Sequence, residues 1–290
     1  MISIKNLEYG YSSSKHVFKD FNLDLPEGHI YGLLGKNGIG KTTLLSILSG
    51  ALFAKGDYNI DGYDPRKRNN NLLEQTRLDM DLEINPTMGI NFATRIHRLA
   101  DTIGPLYPNF DLEFMNRALE ILEVPTKKRL YKMSMGEQRK ALSAFSLACN
   151  TRYLFMDEPT NGMDISSRSE FKKLVAEQYA IGCDENGKFN KTIIISSHQV
   201  EDLEGLIDSI IILGKENVLL LATFEEIGRK LKFGFATPGD VVLYKESGSN
   251  GEECVMRNDN GIESSVNTRL LFNAVTKKPE MILPLFNNKI

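Results

Sequence analysis

The sequence predicts an α/β fold built on a mainly parallel sheet, and three observations support this. Continuous apolar runs are typical of strands covered on both faces, and they occur at Tyr153–Met156, Thr192–Ser196 and Ser209–Leu213. A stretch with helical spacing, Ser166 to Ala180, separates the first two runs. A further buried run, Ile30–Leu34, leads into a glycine-rich loop and then into a helical pattern. Strands that alternate with helices in this way indicate a parallel sheet.

The glycine-rich loop matches the pattern G-x-x-x-x-G-K-[ST] over Gly35–Thr42, which we call the phosphate loop. Glycines let the backbone adopt positive φ values and approach a phosphate closely. The N-terminus of the following helix offers unpaired N–H groups and a positive dipole end to an anion. Lys41 is placed to reach the β/γ-phosphates, and the Thr42 hydroxyl is placed to bind Mg²⁺. The loop therefore predicts binding of a nucleoside triphosphate.

The rest of the chain divides into a lobe, an insertion and a tail around this core. Ser3–Glu8 and Val17–Leu25 alternate apolar and polar residues, which predicts the half-exposed strands of an antiparallel β lobe. From about residue 72 to 150 the spacing is helical, and we expect a helical insertion subdomain there. We therefore predict a nucleotide-binding domain over 1–222 and a small α+β accessory region over 223–290.

Size and composition are those of an ordinary globular protein. The 290 residues are 41% hydrophobic and 25% charged, and the net charge of −3 provides no overall attraction to nucleic acid. No apolar run approaches the roughly 20 residues of a membrane span. Three widely spaced cysteines and a start without a secretory signal lead us to expect a cytoplasmic protein.

Acidic and imidazole side chains follow the apolar runs. Asp157 ends one run and is placed to hold Mg²⁺ opposite Thr42, directly or through water. The adjacent Glu158 would then lie near the γ-phosphate, where it could polarise an attacking water. His198 follows the next run, at the sheet edge where open α/β folds bind ligands, and could donate to a phosphate oxygen. Asp164 is suited to cap the helix that follows it.

A second helix N-terminus begins within Met133–Glu137, which we call the signature turn. Ser134 fits an N-cap with Glu137 as its capping-box partner, and this explanation needs no ligand. A serine and Gly136 at a helix N-terminus also form a phosphate-binding surface. Spacing alone does not decide between these two roles.

Five motifs, taken in order along the chain, resemble those of ATP-binding-cassette (ABC) ATPases. They are the phosphate loop, Ser134 with Gly136, Asp157 with Glu158, Asp164 and His198. The resemblance covers roughly residues 1–222 and implies a P-loop NTPase core, while the length and tail are similar to subunits of export, ABC-2-like transporters. It implies that Glu158 is the catalytic base, that His198 is the switch histidine and that Asp164 lies in the D-loop. Thr42 and Asp157 would hold Mg²⁺. The residues that it assigns to ATP binding are Tyr11, Gly35, Asn37, Gly38, Gly40, Lys41, Thr42, Thr43, Ser134 and Gly136.

The sequence departs from the family pattern in the signature turn and in the Q-loop. The family's signature is usually Leu-Ser-Gly-Gly-Gln, so Met135 replaces a glycine and Glu137 a glutamine, which we expect to weaken its function without abolishing it. The Q-loop glutamine has two candidate positions: Gln75, or an acidic substitute within Asp79–Glu83. For the aromatic ring that stacks on adenine, Tyr9 competes with Tyr11.

The resemblance implies an ATP-hydrolysing subunit of a membrane exporter. Two nucleotide-binding subunits, identical or different, would meet head to tail, so that Ser134 and Gly136 of one cap the ATP of the other. A separate integral membrane permease subunit would hold the chain at the inner face of the cell membrane, and no nucleic acid is expected as a partner. The alternatives are a soluble mechanical ATPase acting on DNA or the ribosome, and a regulatory nucleotide-binding module with little turnover.

Overall fold

The computed structural model describes residues 1–12, 15–80, 94–215, 217–248 and 251–286. Its strands are β1 (Ile2–Ser12), β2 (Lys15–Leu25), β3 (Ile30–Leu34), β4 (Lys55–Ile60), β5 (Thr76–Asp79), β6 (Tyr153–Asp157), β7 (Thr192–Ser197), β8 (Ser209–Leu213), β9 (Val218–Thr223), β10 (Leu231–Gly234), β11 (Val242–Gly248) and β12 (Gly251–Arg257). Its α-helices are α1 (Lys41–Leu48), α2 (Asn70–Gln75), α3 (Ile96–Ile103), α4 (Leu112–Ile121), α5 (Met135–Ala148), α6 (Ile165–Ala180), α7 (Phe224–Lys230), α8 (Thr268–Lys277) and α9 (Pro279–Ile282).

The central sheet has the strand order β5-β6-β7-β3-β8-β9. The first five strands are parallel, and β9 runs antiparallel to β8 at one edge. Every residue of β3, β6, β7 and β8 is buried, as the apolar runs predict for a sheet covered on both faces. Because β6, β7 and β3 are neighbours, the segments that follow them meet at one edge of the sheet.

A second, antiparallel sheet of order β2-β1-β4 forms the predicted β lobe. Its apolar side chains share a hydrophobic core with α1 and with one face of the central sheet. Phe18 and Phe21 from β2 lie in this core together with Leu44 and Leu48 from α1. The lobe therefore packs against the helix that begins at the phosphate loop and stabilises its position.

Helices α3, α4 and α5 lie in the predicted helical range, and they pack against the other face of the central sheet. Asp111 caps α4, since its Oδ1 accepts from the Phe114 N–H at 2.8 Å. One strand also lies in this range, because β5 pairs in parallel with β6. The segment Thr76–Asp79 has a single large apolar residue, Leu78, and so lacks the continuous run by which the other strands were predicted.

The C-terminal part combines a three-stranded antiparallel sheet, order β10-β12-β11, with α8 and α9. Leu271 and Ala274 of α8 are buried with Val255 of β12 in the same core as the helical range. The predicted α+β character is therefore confirmed, while the boundaries of the units stay a prediction. Across the described ranges, no helix combines the length and apolar character needed to cross a membrane.

Candidate active site

The phosphate loop joins β3 to α1 with two glycines in the left-handed region. The φ angles are 77° at Gly38 and 115° at Gly40. A Cβ at Gly40 would also approach Val17 and Phe18 of the β lobe to within 2.8 and 2.9 Å. At Gly38 and Asn37 the loop tip is exposed, and a Cβ on Gly38 would meet no atom within 4 Å. The loop is therefore packed on its lobe side and open on the other.

Lys41 is the first residue of α1, and its side chain is almost fully buried. Its Nζ donates to the Gly35 carbonyl at 2.9 Å and lies 3.9 Å from Oε1 of Glu158. Burial lowers the pKa of Lys41, while the carboxylates of Glu158 and Asp157 act in the opposite direction. The amine thus lies inside the curve of the phosphate loop, facing the two carboxylates.

Thr42 and Asp157 meet as the sequence predicts. The Thr42 hydroxyl donates to Oδ2 of Asp157 at 2.7 Å, and the Ser196 hydroxyl donates to Oδ1 at 2.6 Å. Hydroxyl and carboxylate oxygens are the donors that Mg²⁺ prefers, so this pair fits the ion. Within the described ranges, no three His, Cys, Asp or Glu side chains are grouped to hold a metal. A cation bound by this pair would take its other ligands from the nucleotide and water.

Glu158 and His198 are in direct contact. Nδ1 of His198 lies at hydrogen-bond distance from Oε2 of Glu158, and the other carboxylate oxygen faces Lys41. The backbone of Glu158 has a φ angle of 50°, which is rare for a glutamate. A carboxylate, an imidazole and an amine therefore converge beside the phosphate loop, and such groups can bind phosphate and move a proton.

The tyrosine predicted to stack on adenine lies beside the start of α1. The Tyr11 hydroxyl is 2.9 Å from Oγ1 of Thr43, and the Tyr11 residue is 59% exposed. Tyr9 contacts this ring edge-on, with a centroid distance of 5.3 Å and an interplanar angle of 86°. Tyr11 therefore presents the exposed ring of the pair, and Tyr9 supports it.

The signature turn has the capping box that the spacing predicts. Oγ of Ser134 accepts from the Glu137 N–H at 3.2 Å, and the Glu137 carboxylate accepts from the Ser134 N–H at 2.8 Å. A Cβ on Gly136 would lie 2.3 Å from the Gly162 carbonyl oxygen, so α5 begins in close contact with the turn after β6. In the described part of the chain, Ser134 and Gly136 contact these groups and not the phosphate loop.

Asp164 and the Q-loop candidates complete the predicted set. Oδ1 of Asp164 caps α6 by accepting from the Ser167 N–H at 2.8 Å. Hydrogen bonds from Ser167 and then Lys140 lower the pKa of Asp164. Gln75 ends α2, and Asp79 is buried at the end of β5. The remaining acidic candidates, at positions 81 and 83, lie outside the described residues.

Two residues at the site were not predicted from the sequence. Ser196 orients Asp157, and Arg139 of α5 donates hydrogen bonds to the backbone carbonyls of Asp157 and Glu158. Both belong to segments that the motifs identified. Their spacing along the chain carried no signal, because each contact depends on which strands are neighbours.

Comparison with known proteins shows the same family along the chain. Residues 18–161 match the protein family described as "ABC transporter". The chain is 28% identical over 251 residues to the ABC transporter ATP-binding protein YtrB of Bacillus subtilis, covering 85% of this chain and 81% of that protein. It is 30% identical over 255 residues to the bacitracin transport ATP-binding protein BcrA of Bacillus licheniformis, covering 85% and 78%.

Solved structures agree in fold. A dimeric ATP-binding cassette in a post-hydrolysis state, bound to ADP and Pi, matches with a TM-score of 0.61 and 18% identity, over 77% of this chain and 98% of that one. An ATP-binding subunit of an ABC transporter matches with a TM-score of 0.63 and 20% identity, over 79% and 92%. The strand order, the phosphate loop and the relatives lead to one conclusion: the chain belongs to the ATPases of the ABC transporter family.

Proposed function

We propose that this ABC ATPase powers a membrane exporter whose spanning subunit is a separate chain. The relatives named for bacitracin transport in Bacillus licheniformis and lantibiotic transport in Streptococcus pyogenes support export of a peptide-like compound. A methionine import protein of Protochlamydia amoebophila is 31% identical, but the chain covers only 65% of it. The chain would then lie in the cytoplasm, held at the inner face of the membrane by its permease.

The observation that carries the catalytic part of the proposal is the convergence at one sheet edge. Thr42 lies 2.7 Å from Asp157, and Glu158 lies 3.9 Å from Lys41 while contacting His198. These side chains come from the end of β6 and from the segments after β3, β6 and β7, which are three neighbouring strands. Such a group can bind a triphosphate, its counter-ion and an attacking water together.

In this proposal the phosphate loop binds the triphosphate through its backbone N–H groups. The ammonium of Lys41 exchanges the Gly35 carbonyl for a phosphate oxygen, which is a stronger, charge-assisted acceptor. The exposed ring of Tyr11 stacks on adenine, and the Thr43 hydroxyl leaves Tyr11 to donate to a phosphate. Thr42 and Asp157 would hold Mg²⁺, which neutralises phosphate charge when bound.

Glu158 acts as the general base. Its carboxylate accepts a proton from the attacking water, and its contact with His198 fixes the orientation of that carboxylate. His198 is more exposed than Glu158, with side-chain exposures of 39% and 23%. The imidazole therefore lies on the solvent side of the carboxylate, where it can also meet the γ-phosphate.

The signature turn acts in a second subunit. In the capping box Ser134 uses its oxygen to accept from Glu137, so the hydroxyl hydrogen stays available to donate to a phosphate. We propose that Ser134 and Gly136 close over the phosphate loop of the partner, which produces a symmetric pair with two nucleotides at the interface. Hydrolysis then weakens the closed state, since ATP and ADP differ in affinity for it.

The decisive experiment is Glu158→Gln. This variant keeps the shape of the side chain but cannot accept a proton, so we expect turnover to fall by roughly 100-fold or more. ATP binding should persist and an ATP-bound dimer should accumulate on size-exclusion chromatography. Glu177→Gln, an exposed glutamate that pairs with Arg117 on the surface, is the matched control. Hydrolysis at the wild-type rate by Glu158→Gln would exclude Glu158 as the base.

The direction of transport is tested in cells that express the chain together with a candidate permease, a polytopic membrane protein that co-purifies with it. Export of a peptide-like compound predicts that the pair raises the bacitracin concentration that cells tolerate. The Glu158→Gln chain should abolish the gain. Greater sensitivity to bacitracin with the active pair would contradict export of this class of compound.

A further inference from the structure

The backbone of Glu158 is held in an unusual conformation from two sides. Its φ angle of 50° lies in the left-handed region, which glutamate rarely adopts unless its surroundings enforce it. On the amide side, Ser196 of β7 accepts from the Glu158 N–H through its hydroxyl at 3.0 Å and its carbonyl at 3.2 Å. The amide is therefore fixed to the neighbouring strand.

Arg139 fixes the carbonyl side. Its Nε and Nη2 donate to the Glu158 carbonyl at 3.3 and 3.2 Å, and Nη2 also donates to the Asp157 carbonyl. The side chain is 5% exposed and comes from the second turn of α5. A guanidinium is a rigid, planar fork of donors, so it can hold two consecutive carbonyls at once.

The helix that carries Arg139, α5, is tied to β5. Asp79, buried at the end of β5, accepts from the Ser143 hydroxyl at 2.8 Å, one turn beyond Arg139 along α5. The side-chain hydrogen bonds that Arg139 makes to described residues all go to the carbonyls of Asp157 and Glu158. Arg139 therefore ties the helix of the signature turn to the segment that carries the base.

We propose that Arg139 is a positioning residue for ATP hydrolysis, which holds the Glu158 backbone and makes the position of its carboxylate depend on where α5 lies. The signature turn is the N-terminus of α5. A displacement of that turn by a partner subunit therefore moves Arg139 with the same helix and shifts the base. The inference rests on the proposed role of Glu158.

The first test is Arg139→Met, which keeps much of the side-chain volume but removes every donor. We expect kcat to fall about 10- to 100-fold, because small displacements of a catalytic group have effects of this size. The Kd of a fluorescent ATP analogue should stay within about 2-fold, since Arg139 does not touch the phosphate loop. Arg139→Lys, with one donor centre, should give an intermediate kcat.

Arg77→Met is the matched control. Arg77 is also a buried arginine that donates to α5, through Ser146 at 3.2 Å, but it makes no bond to Asp157 or Glu158. We expect it to lower the melting temperature and leave kcat per folded molecule near the wild-type value. Equal losses of kcat in Arg77→Met and Arg139→Met would overturn the proposal. Should Arg139→Met fail to fold, a wild-type kcat in Arg139→Lys overturns it instead.

A double variant separates this proposal from the role of Glu158 itself. If Arg139 acts through Glu158, then Arg139→Met should change the residual single-turnover rate of Glu158→Gln by less than about 2-fold. An undiminished effect of Arg139→Met in that background would overturn the positioning role. If Glu158→Gln is inactive and Arg139→Met turns over at the wild-type rate, only the positioning role fails. A fully active Glu158→Gln would exclude Glu158 as the general base, and the proposed function would fail with it.

Discussion

Two helix N-termini contribute to this ATPase, and they satisfy their backbone donors in opposite ways. Gly40 precedes α1 and offers no side-chain cap, so the first N–H groups of that helix are left for a ligand. Ser134 precedes α5 and closes a complete capping box with Glu137. The phosphate loop thus requires an anion to complete its hydrogen bonds, whereas the signature turn is complete before any nucleotide arrives.

The two ends also differ in accessibility. Lys41, at the start of α1, is buried beside the Gly35 carbonyl and the Glu158 carboxylate, while Met135, at the start of α5, is 56% exposed. The lysine at the phosphate loop is therefore enclosed by its own chain, and the first side chain of α5 faces outward. This difference suits the proposed division of work, in which one end binds ATP and the other closes over the ATP of a partner.

The largest expected effect comes from removing the buried charge at α1. Lys41→Met should weaken ATP binding by roughly 100-fold or more, because a charge-assisted bond to phosphate is lost in a dry site. Isothermal titration with ATP and Mg²⁺ measures this. Lys191→Met is the matched control, since Lys191 is equally buried but donates to Asn150 and Gln178.

The Lys191→Met control should also change how the stability of the fold depends on pH. Burial lowers the pKa of Lys191 to about 8, below its value in the unfolded chain. The unfolded state therefore binds more protons between about pH 8 and pH 10.5. As the pH rises through that window, the cost of burying Lys191 falls and the free energy of unfolding increases. Lys191→Met should remove this rise while ATP affinity stays unchanged. Equal losses of affinity in both lysine variants would contradict the role of Lys41.

The next effect tests the close approach at the signature turn. Gly136→Ala should lower turnover about 10-fold, because its Cβ would lie 2.3 Å from the Gly162 carbonyl and push α5 away from the turn after β6. ATP affinity should stay close to wild type, since the phosphate loop is untouched. Steady-state kinetics and titration of the same preparation separate the two effects. A loss confined to affinity would show that the signature turn acts on ATP in its own subunit.

The same two ends show how far the sequence predicts the site. Glycine and lysine spacing identified the phosphate loop, and the Ser134–Glu137 spacing identified the capping box, because the residues of each motif lie close together in the sequence. The contact of Arg139 with Glu158 joins residues 19 apart and depends on how α5 lies over the end of β6. Strand β5 was missed for a related reason, since its pairing with β6 stabilises a segment with little apolar character of its own.

A smaller effect is expected from the cap itself. Ser134→Ala should lower the free energy of unfolding by about 1 kcal/mol, the usual cost of losing a serine N-cap. Chemical denaturation without nucleotide measures it, and Ser134→Gly should recover part of the loss. Turnover should fall in both variants, because neither has a hydroxyl to donate to the partner's ATP. Stability unchanged in Ser134→Ala would mean that the capping box contributes nothing to folding.

The smallest effect is expected at Glu137, where the sequence departs from the family. Glu137→Gln keeps an oxygen to accept from the Ser134 N–H and loses only the ion pair with Lys128, whose side chain is 48% exposed. Exposed pairs of this kind contribute little, so the melting temperature should stay within about 2 °C of wild type. Lys128 already offsets the carboxylate charge, so turnover should change by less than about 2-fold. A rise of 10-fold would show that the carboxylate repels the partner's triphosphate and that Lys128 does not compensate it. The Glu137 carboxylate would then explain a weakened signature turn without any contribution from Met135. The contrast between the two helix N-termini would be electrostatic as well as structural.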